Sequence, residues 1–228
     1  MRVSEVFGPT VQGEGPSCGQ QATFVRLWGC NLDCSWCDTP YTWDVTGKNG
    51  TVFARDAEST VVPIEELIER VPLAPALVVV TGGEPLIQAS ELSVLVRGLV
   101  ERGHRVEVET NGTLLPMREI PSLTYNVSPK LTHAATTKDA LRDALRDYRD
   151  SKVASFKFVA RTLDDLDEVA GIVERYGLDP STVWVMPEGR GPESIVDGLT
   201  VLADGVVARG WNLSPRLHVL CWGDKRGV

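Results

Sequence analysis

Three cysteines stand close together in the chain, at Cys30, Cys34 and Cys37. Thiolates bind metals, so this C-x3-C-x2-C spacing indicates a metal site. A structural zinc ion needs four protein ligands, and it is disfavoured because the other cysteines and histidines have no paired partner in the sequence: Cys18, Cys221, His104, His133 and His218. Three thiolates suit an iron–sulfur cluster that leaves one iron open to a ligand from outside the protein, as catalytic metal sites do.

Composition and charge narrow the class of protein. The chain has 228 residues, of which 43% are hydrophobic and 24% charged, as in an ordinary globular protein with a real core. No apolar stretch approaches the roughly 18 residues of a membrane span, and the N-terminus lacks the apolar segment of a signal peptide. The odd, clustered cysteines favour a reducing compartment, so we expect a cytoplasmic protein. A net charge of −8 argues against nucleic-acid binding, although a few local cations suffice for a small anionic ligand.

The elements around the cysteines alternate between two hydrophobic patterns. Short, continuous, β-branched segments predict strands at residues 22–28, 76–81, 105–109, 123–127, 154–159 and 182–186. Apolar stripes at helical spacing predict the helices: Ile64, Leu67, Ile68 and Val71; Leu92, Leu95, Val96 and Leu99; Leu141, Ala144, Leu145 and Tyr148; Leu166, Val169 and Val173; Ile195, Leu199, Leu202 and Val206.

This alternation predicts six β-then-α units around a parallel sheet. Six units are fewer than the eight of a closed barrel. We therefore expect a single α/β domain over residues 1–228, with an open, partial (β/α)6 TIM-like barrel. A doubly wound sheet is the competing architecture.

The predicted strands end in polar residues rather than in apolar filler. Their ends read "GCNLDC", "TGGEP", "ETNGT", "VSPK", "FKFV" and "MPEG". In parallel α/β sheets the C-terminal ends of the strands converge on the ligand site. Turn chemistry accounts for Gly, Asn, Ser and Pro taken singly, but a turn needs neither Glu109 nor Lys130. We therefore predict one extended site along this edge of the sheet.

Two of these motifs are similar to those of a known superfamily. The cysteine spacing, with Trp36 before the last cysteine, and the glycine-rich "TGGEP" after the next strand resemble radical S-adenosylmethionine enzymes. The resemblance implies the open-barrel fold of that superfamily and a [4Fe–4S] cluster on Cys30, Cys34 and Cys37. It also implies that the fourth iron binds S-adenosylmethionine, whose reductive cleavage yields a 5′-deoxyadenosyl radical that takes hydrogen from the substrate.

Further motifs resemble one family within that superfamily. "QGEG", "FVR", "CDT", "ETNGT", "NVSPK", "MPEG" and the C-terminal "RLHVLCWGDKRGV" are together similar to the 7-carboxy-7-deazaguanine synthases, over essentially the whole chain. The resemblance implies a lyase that contracts 6-carboxy-5,6,7,8-tetrahydropterin to 7-carboxy-7-deazaguanine with release of ammonia. That product belongs to the biosynthesis of queuosine and related 7-deazapurines.

The same resemblance implies roles for individual residues. Contacts with S-adenosylmethionine are expected from Trp36, Cys37, Asp38, Gly83, Glu84, Glu109, Asn111, Ser128, Pro129, Lys130, Met186 and Glu188. Contacts with the substrate are expected from Val11, Gln12, Gly13, Glu14, Arg26, Thr81 and His218. The planar fork of Arg26 suits a carboxylate, and the amide of Gln12 suits a pterin edge. Thr39 joins the three cysteines in the catalytic set as a ligand of Mg²⁺, a hard cation that favours oxygen.

Partners and rival functions follow from the same comparison. The resemblance implies a homodimer and an electron donor such as flavodoxin. One alternative is an activase of the same superfamily that installs a glycyl radical on another enzyme, and another is a metal-binding module without catalysis. The chain departs from the family at Met186, where glutamine is frequent. It also runs well past His218, so we do not assign to Val228 the carboxylate contact that some members make.

Overall fold

Nine strands form one open sheet in the computed structural model, which describes residues 1–136 and 143–228. The sheet runs in the order β3-β1-β2-β4-β5-β6-β7-β8-β9 and does not close into a barrel. β1 is antiparallel to both of its neighbours, whereas the pairs from β2 to β9 are parallel. The strands are β1 (Arg2–Val11), β2 (Gln21–Leu27), β3 (Thr60–Val61), β4 (Leu77–Gly82), β5 (Arg105–Thr110), β6 (Leu123–Val127), β7 (Ala154–Ala160), β8 (Val183–Pro187) and β9 (Asn212–Leu213).

The six predicted strands are confirmed as β2 and β4 to β8, within one residue at each end. The other three strands were not predicted. β3 and β9 are only two residues long. β1 is ten residues long but half-exposed over most of its length, and Gly8 and Pro9 in its middle are typical of a turn. It is nevertheless a strand because it pairs with β2 on one side and β3 on the other.

Five helices lie at the predicted positions and pack against one face of the sheet, whereas the short helices Arg55–Glu58 and Leu217–Trp222 were not predicted. The helices are α1 (Arg55–Glu58), α2 (Ile64–Arg70), α3 (Ala89–Glu101), α4 (Leu145–Ser151), α5 (Leu163–Tyr176), α6 (Pro192–Ala208) and α7 (Leu217–Trp222). The stripe expected around Leu141 is seen only in part, because residues 137–142 lie outside the described residues. The connection from β5 to β6 contains no helix, so one of the six units predicted as β-then-α is a strand followed by a loop.

The helix ends follow from their local sequence. α5 begins with a capping box, in which the Thr162 hydroxyl accepts from the Asp165 N–H and the Asp165 side chain returns to the Thr162 backbone. It ends at Gly177, whose φ of +63° is the left-handed conformation that glycine adopts without strain. The buried stripe of α5 packs on the main core, and each of its aliphatic side chains, Leu166, Val169 and Ile172, contributes roughly 2 kcal/mol on burial. Among the described residues, no helix is both long and apolar enough to cross a bilayer.

The two faces of the sheet differ in chemistry. The face toward the helices carries the main hydrophobic core. On the inner face, one half of the sheet carries a small apolar cluster of Phe24 and its neighbours from β2 and β4. On the other half, from β5 to β7, the side chains of Glu107 and Lys157 lie on the inner face, and both are buried although they are charged residue types. The strands therefore place charged groups on the inside, at the edge where the predicted site lies.

Candidate active site

One cavity of about 770 Å³ lies at the C-terminal ends of the parallel strands. Nearly every residue predicted from the sequence to bind cofactor or substrate lines it, and the exceptions are Glu84 and Pro129. Glu84 is fully buried below the cavity, where its carboxylate accepts from Thr110 Oγ1, Asn111 N and Leu86 N at 2.7–3.0 Å. The Glu84 carboxylate therefore supports Asn111 from below.

The cysteine loop, residues 28–43, is held mainly by hydrogen bonds to backbone groups. The Gly29 N–H donates to Thr42 O at 2.7 Å, which closes the loop on itself. The Ser35 N–H and hydroxyl both donate to Ala134 O, at 2.9 and 3.1 Å. Asn49 Nδ2 donates to Cys34 O at 3.3 Å. The loop thus rests on the segment after β6 and on the turn that follows it.

A buried aspartate organises that following turn. Both carboxylate oxygens of Asp44, which is 1% exposed, accept hydrogen bonds from residues 46–49. Burial alone raises the pKa of this carboxyl, but the hydrogen bonds from Asn49 and Thr46 outweigh burial and hold its pKa below 3.8. The ordered turn sends Lys48 to Asp33, at 2.8 Å, and so ties down the middle of the cysteine loop.

The three clustered thiols share one wall of the cavity and form no disulfide. Burial raises the pKa of all three, that of Cys30 to about 12. Leu32 N–H donates to Cys30 Sγ at 3.4 Å and Trp43 Nε1–H to Cys37 Sγ at 3.2 Å. The sulfurs have N–H donors, and burial outweighs the effect of Lys130 and Lys48 on the pKa of Cys34. Such buried thiols fit a bound iron–sulfur cluster, because the irons themselves would keep the thiolates ionised.

The same geometry does not suit a single zinc ion. Within residues 1–136 and 143–228, no three Cys, His, Asp or Glu side chains converge as the ligands of one metal ion do. The three cysteines of a cubane cluster each bind a different iron, so their sulfurs need not converge on one point. The donor set therefore fits a cluster.

The glycine-rich "TGGEP" segment lies directly beneath the cysteine loop. A Cβ at Gly82, whose φ is +142°, would stand 2.1 Å from Leu27 O, and one at Gly83 would stand 2.1 Å from Gly29 O. The Glu84 N–H also donates to Gly29 O at 2.7 Å. We expected these glycines to allow close approach of a ligand. Gly83 does line the cavity, but Gly82 is required first by the backbone at the end of β2 and Gly83 by the backbone of the cysteine loop.

Gln12, Thr81 and Glu109 form a connected polar group on the opposite wall. Gln12 Nε2 donates to Glu107 Oε1 at 3.0 Å and to Glu109 Oε1 at 3.1 Å. Thr81 Oγ1 donates to Glu109 Oε2 at 2.7 Å. Glu107, which also accepts from Ser17, is deeper, and burial raises its pKa. The Glu109 carboxylate therefore faces the cavity in a fixed orientation with room for further donors.

Two cations that sequence reasoning missed neutralise the predicted substrate residue Glu14. Lys157 and Arg216 both donate to its carboxylate, Arg216 through Nε at 3.0 Å. Burial opposes ionisation of Glu14, but the two cations outweigh burial and hold its pKa well below the usual range. Arg216 also donates to Asp38 and, at 2.7 Å, to Gly189 O. We name Glu14, Asp38, Lys157 and Arg216 the charge cluster.

A signal for these two cations was present in the sequence. Lys157 interrupts the apolar strand "ASFKFVA", and a charge inside a buried strand needs a partner. Arg216 stands two residues before His218, in the C-terminal motif. His218 itself lies 3.9 Å from Glu14, and burial lowers its pKa. Gly13 permits this approach, because a Cβ there would lie 2.1 Å from His218 Nδ1.

Arg26 is ion-paired, which its residue type alone did not reveal. Its Nε donates to Glu5 Oε1 at 2.7 Å, and the Tyr41 hydroxyl donates to the same oxygen at 3.0 Å. Arg226 reaches the other oxygen of Glu5 at 3.1 Å and lies over the Tyr41 ring at 3.8 Å. Arg226 belongs to residues 223–228, which line the cavity up to Val228. The tail after His218 therefore lies along the cavity rim.

The far end of the cavity carries the remaining predicted cofactor residues. Trp36 packs near His133, with ring centroids 5.9 Å apart, and Lys130 Nζ lies 5.4 Å from the Trp36 ring. Glu188 lies 3.4 Å from His133 Nε2, and both Glu188 and Met186 line the cavity. Ser128 also reaches the cavity, where its hydroxyl accepts from Lys130 Nζ at 3.0 Å. Aromatic, apolar and acidic groups thus meet here.

Comparison with known proteins matches this arrangement. Residues 28–177 match the model of the radical SAM superfamily. A 7-carboxy-7-deazaguanine synthase of Pyrobaculum aerophilum is 38% identical, over 100% of this chain and 97% of the relative. One of Bacillus subtilis is 30% identical, over 99% of this chain and 98% of the relative. The crystal structure of QueE from Escherichia coli superposes with a TM-score of 0.68 at 26% identity, covering 93% of this chain and 92% of that one.

The open sheet and the cysteine-lined cavity are those of a radical S-adenosylmethionine protein, the class that the family model defines. Membership of this class implies a [4Fe–4S] cluster and S-adenosylmethionine as cofactors. Within the class, the full-length similarity shows that the chain belongs to the 7-carboxy-7-deazaguanine synthase family.

Proposed function

We propose that this chain is a radical S-adenosylmethionine lyase that converts 6-carboxy-5,6,7,8-tetrahydropterin to 7-carboxy-7-deazaguanine and ammonia, in queuosine and 7-deazapurine biosynthesis. The observation that supports it best is that one cavity is lined both by the three cluster thiols and by the hydrogen-bonding residues Gln12, Glu14, Thr81 and Glu109, which we call the hydrogen-bonding wall. Full-length similarity to relatives with this name supports the same reaction.

The chemistry of bond cleavage belongs to the cofactors, since the cluster and S-adenosylmethionine supply a radical that removes hydrogen from the substrate. In this proposal Cys30, Cys34 and Cys37 hold the cluster. The far end, with Trp36 and Met186, holds the adenosyl part. The protein's task is then to bind both molecules in one orientation and to exclude water.

The hydrogen-bonding wall suits the ring edge of a pterin. An ionised carboxylate accepts hydrogen bonds and donates none. Glu14 is held in this ionised form by its two cations. Glu14 and Glu109 are thus matched to the N–H and amino groups of such a ring. Arg26 supplies a cation for the substrate carboxylate, and its pairing with Glu5 fixes its direction.

Thr39 is proposed as the protein's ligand to Mg²⁺. It lies directly after Cys37 and Asp38, and its hydroxyl is 3.8 Å from Cys37 Sγ, on the wall of the cavity. A hydroxyl, a substrate carboxylate and water are suitable oxygen ligands for this cation. A single domain over residues 1–228, the homodimer and the flavodoxin-type electron donor stay predictions.

The test is reconstitution without oxygen. Protein loaded with iron and sulfide, and given reductant, Mg²⁺, S-adenosylmethionine and 6-carboxy-5,6,7,8-tetrahydropterin, should form the deazapurine and ammonia in equal amounts. A cluster-loaded protein that cleaves S-adenosylmethionine but forms no deazapurine would contradict the proposal. Stoichiometric 5′-deoxyadenosine together with a radical on another protein would instead identify an activase, and zinc without iron would identify a non-catalytic module.

A further inference from the structure

Arg216 connects three segments of the cavity wall, two of which are also linked where Arg190, just after "MPEG", donates to Cys37 O. Its Nε donates to Glu14 of "QGEG", its Nη1 donates to Gly189 O of "MPEG", and its Nη2 donates to Asp38 of "CDT". Its side chain is only 9% exposed. Each nitrogen of the guanidinium is therefore used, and each points to a different part of the cavity wall.

Asp38 and Glu14 belong to the parts of the site that would hold the cofactor and the substrate, whose separation and orientation must be fixed. Asp38 lies between the cluster ligand Cys37 and the proposed magnesium ligand Thr39, whereas Glu14 is on the hydrogen-bonding wall. The transfer of a hydrogen atom between two bound molecules depends steeply on their separation and orientation. A rigid link between the two walls would set both.

We propose that Arg216 is a positioning residue that fixes the substrate wall relative to the cofactor wall, an inference that rests on the function proposed above. A guanidinium is suited to this because its planar fork holds several partners in one fixed geometry, whereas a lysine ammonium on a flexible stem does not. Arg216 acts through Glu14 and Asp38, and it is not assigned a part in the chemistry.

A purely structural ion pair would predict a different result. Loss of a buried pair destabilises the fold and lowers all activities together. Loss of positioning separates two events, because the cofactor is still cleaved while the substrate is no longer held in reach. In the proposed reaction, hydrogen would return from 5′-deoxyadenosine to regenerate the cofactor, so the wild type should release little 5′-deoxyadenosine per product.

The experiment compares Arg216→Lys and Arg216→Gln with the wild type after anaerobic reconstitution. Binding of 6-carboxy-5,6,7,8-tetrahydropterin is measured by calorimetry without reductant, so that no turnover occurs. The loss of charge-assisted hydrogen bonds should weaken this binding about tenfold in Arg216→Lys and more in Arg216→Gln. With reductant, the ratio of released 5′-deoxyadenosine to deazapurine should rise at least about tenfold in both variants.

The matched control is Arg209→Lys. Arg209 also forms an ion pair, with Asp167 at 2.6 Å, but it lies just after α6, outside the cavity. Arg209→Lys should bind and couple like the wild type. Iron content and thermal melting are recorded for every variant, and Arg216→Lys keeps the buried charge if Arg216→Gln does not fold.

Two results would overturn the inference. One is an Arg216→Lys variant with unchanged pterin affinity and an unchanged ratio of 5′-deoxyadenosine to product. The other is a loss of pterin-binding sites and of product in strict proportion to the loss of folded protein, with an unchanged ratio of 5′-deoxyadenosine to product, which identifies a structural role only. Failure of the proposed function looks different, since the wild type itself would then form no deazapurine.

Discussion

The two walls of the cavity are built by opposite means. The cysteine loop is one continuous segment, held by backbone carbonyls and by glycines that admit neighbouring backbone. The charge cluster is assembled from distant residues, since Lys157 and Arg216 lie 143 and 202 residues from Glu14. Burial raises the pKa of the loop's three thiols, at Cys34 despite the nearby Lys130 and Lys48, whereas the charge cluster pairs two carboxylates with two cations.

This difference shows what each wall requires from its ligand. Buried thiols become thiolates only when a metal supplies positive charge, so the cysteine loop is incomplete without its cluster. The charge cluster neutralises itself and can be ordered before any ligand binds. One wall thus depends on a cofactor for its charge balance, and the other is preorganised by the fold.

The largest effect should follow removal of a thiol. Cys34→Ala should reduce bound iron from about four per chain to near background and abolish product formation, because two thiolates do not retain a cubane cluster. Iron and sulfide analysis after reconstitution measures this. Cys221→Ala, at an exposed cysteine, is the matched control and should bind iron as the wild type does. A full iron content in Cys34→Ala would contradict the ligand assignment.

The next effect concerns the preorganised wall. The side chain of Lys157 is 7% exposed, and Lys157→Met removes one of the two cations that compensate the charge of Glu14. The free energy of unfolding should therefore fall by about 3 kcal/mol. Urea denaturation measures the change. The double variant Glu14→Gln, Lys157→Met should lose less than the sum of the two single changes, because no buried charge is then left without its partner.

An exposed ion pair provides the control for Lys157→Met. Arg70 is 48% exposed and pairs with Glu66 one turn away. Arg70→Met should cost about 0.5 kcal/mol or less. If Lys157→Met and Arg70→Met lowered the free energy of unfolding equally, burial of the charge cluster would not increase the cost of removing one of its ions.

The sequence was sufficient for the cysteine loop and for the sheet that positions it. The three thiol ligands are close together in the chain, and the six parallel strands are short, β-branched segments that alternate with apolar stripes at helical spacing. The charge cluster was not predicted, because a pairing between Glu14 and residues far away in the chain depends on how the strands curl. The pairing of Arg26 with Glu5 was missed for a similar reason, since β1 was not expected to be a strand.

The glycines illustrate a subtler limit. "TGGEP" was correctly placed at the cavity, but its conformational requirement was ascribed to the ligand. The contacts of Gly82 and Gly83 are with Leu27 and Gly29, and only the three-dimensional approach of two loops reveals them. The burial of the Glu84 carboxylate below the cavity was also beyond the sequence, because a motif indicates a neighbourhood and not the direction of each side chain.

A smaller effect, dependent on pH, should follow from Asp44. Its folded-state pKa is below the usual 3.8, so the stability it adds is fully present above that pH and is lost as the pH falls through the folded pKa. Asp44→Asn should lower the free energy of unfolding by about 2 kcal/mol at neutral pH and less in acid. Urea unfolding at pH 7 and below pH 4 measures both. A loss that does not shrink in acid would contradict the role of the ionised carboxylate.

The mildest change tests the boundary between the two walls. Thr39→Ala removes one oxygen ligand but no thiol, so iron content should stay as in the wild type while the Mg²⁺ concentration for half-maximal turnover rises about tenfold. Thr200→Ala, at an exposed threonine of α6, is the control and should leave the Mg²⁺ titration unchanged. Loss of iron in Thr39→Ala would mean that Thr39 belongs to the cysteine loop only. An unchanged Mg²⁺ titration with full iron would place the cation on other oxygens of the cavity.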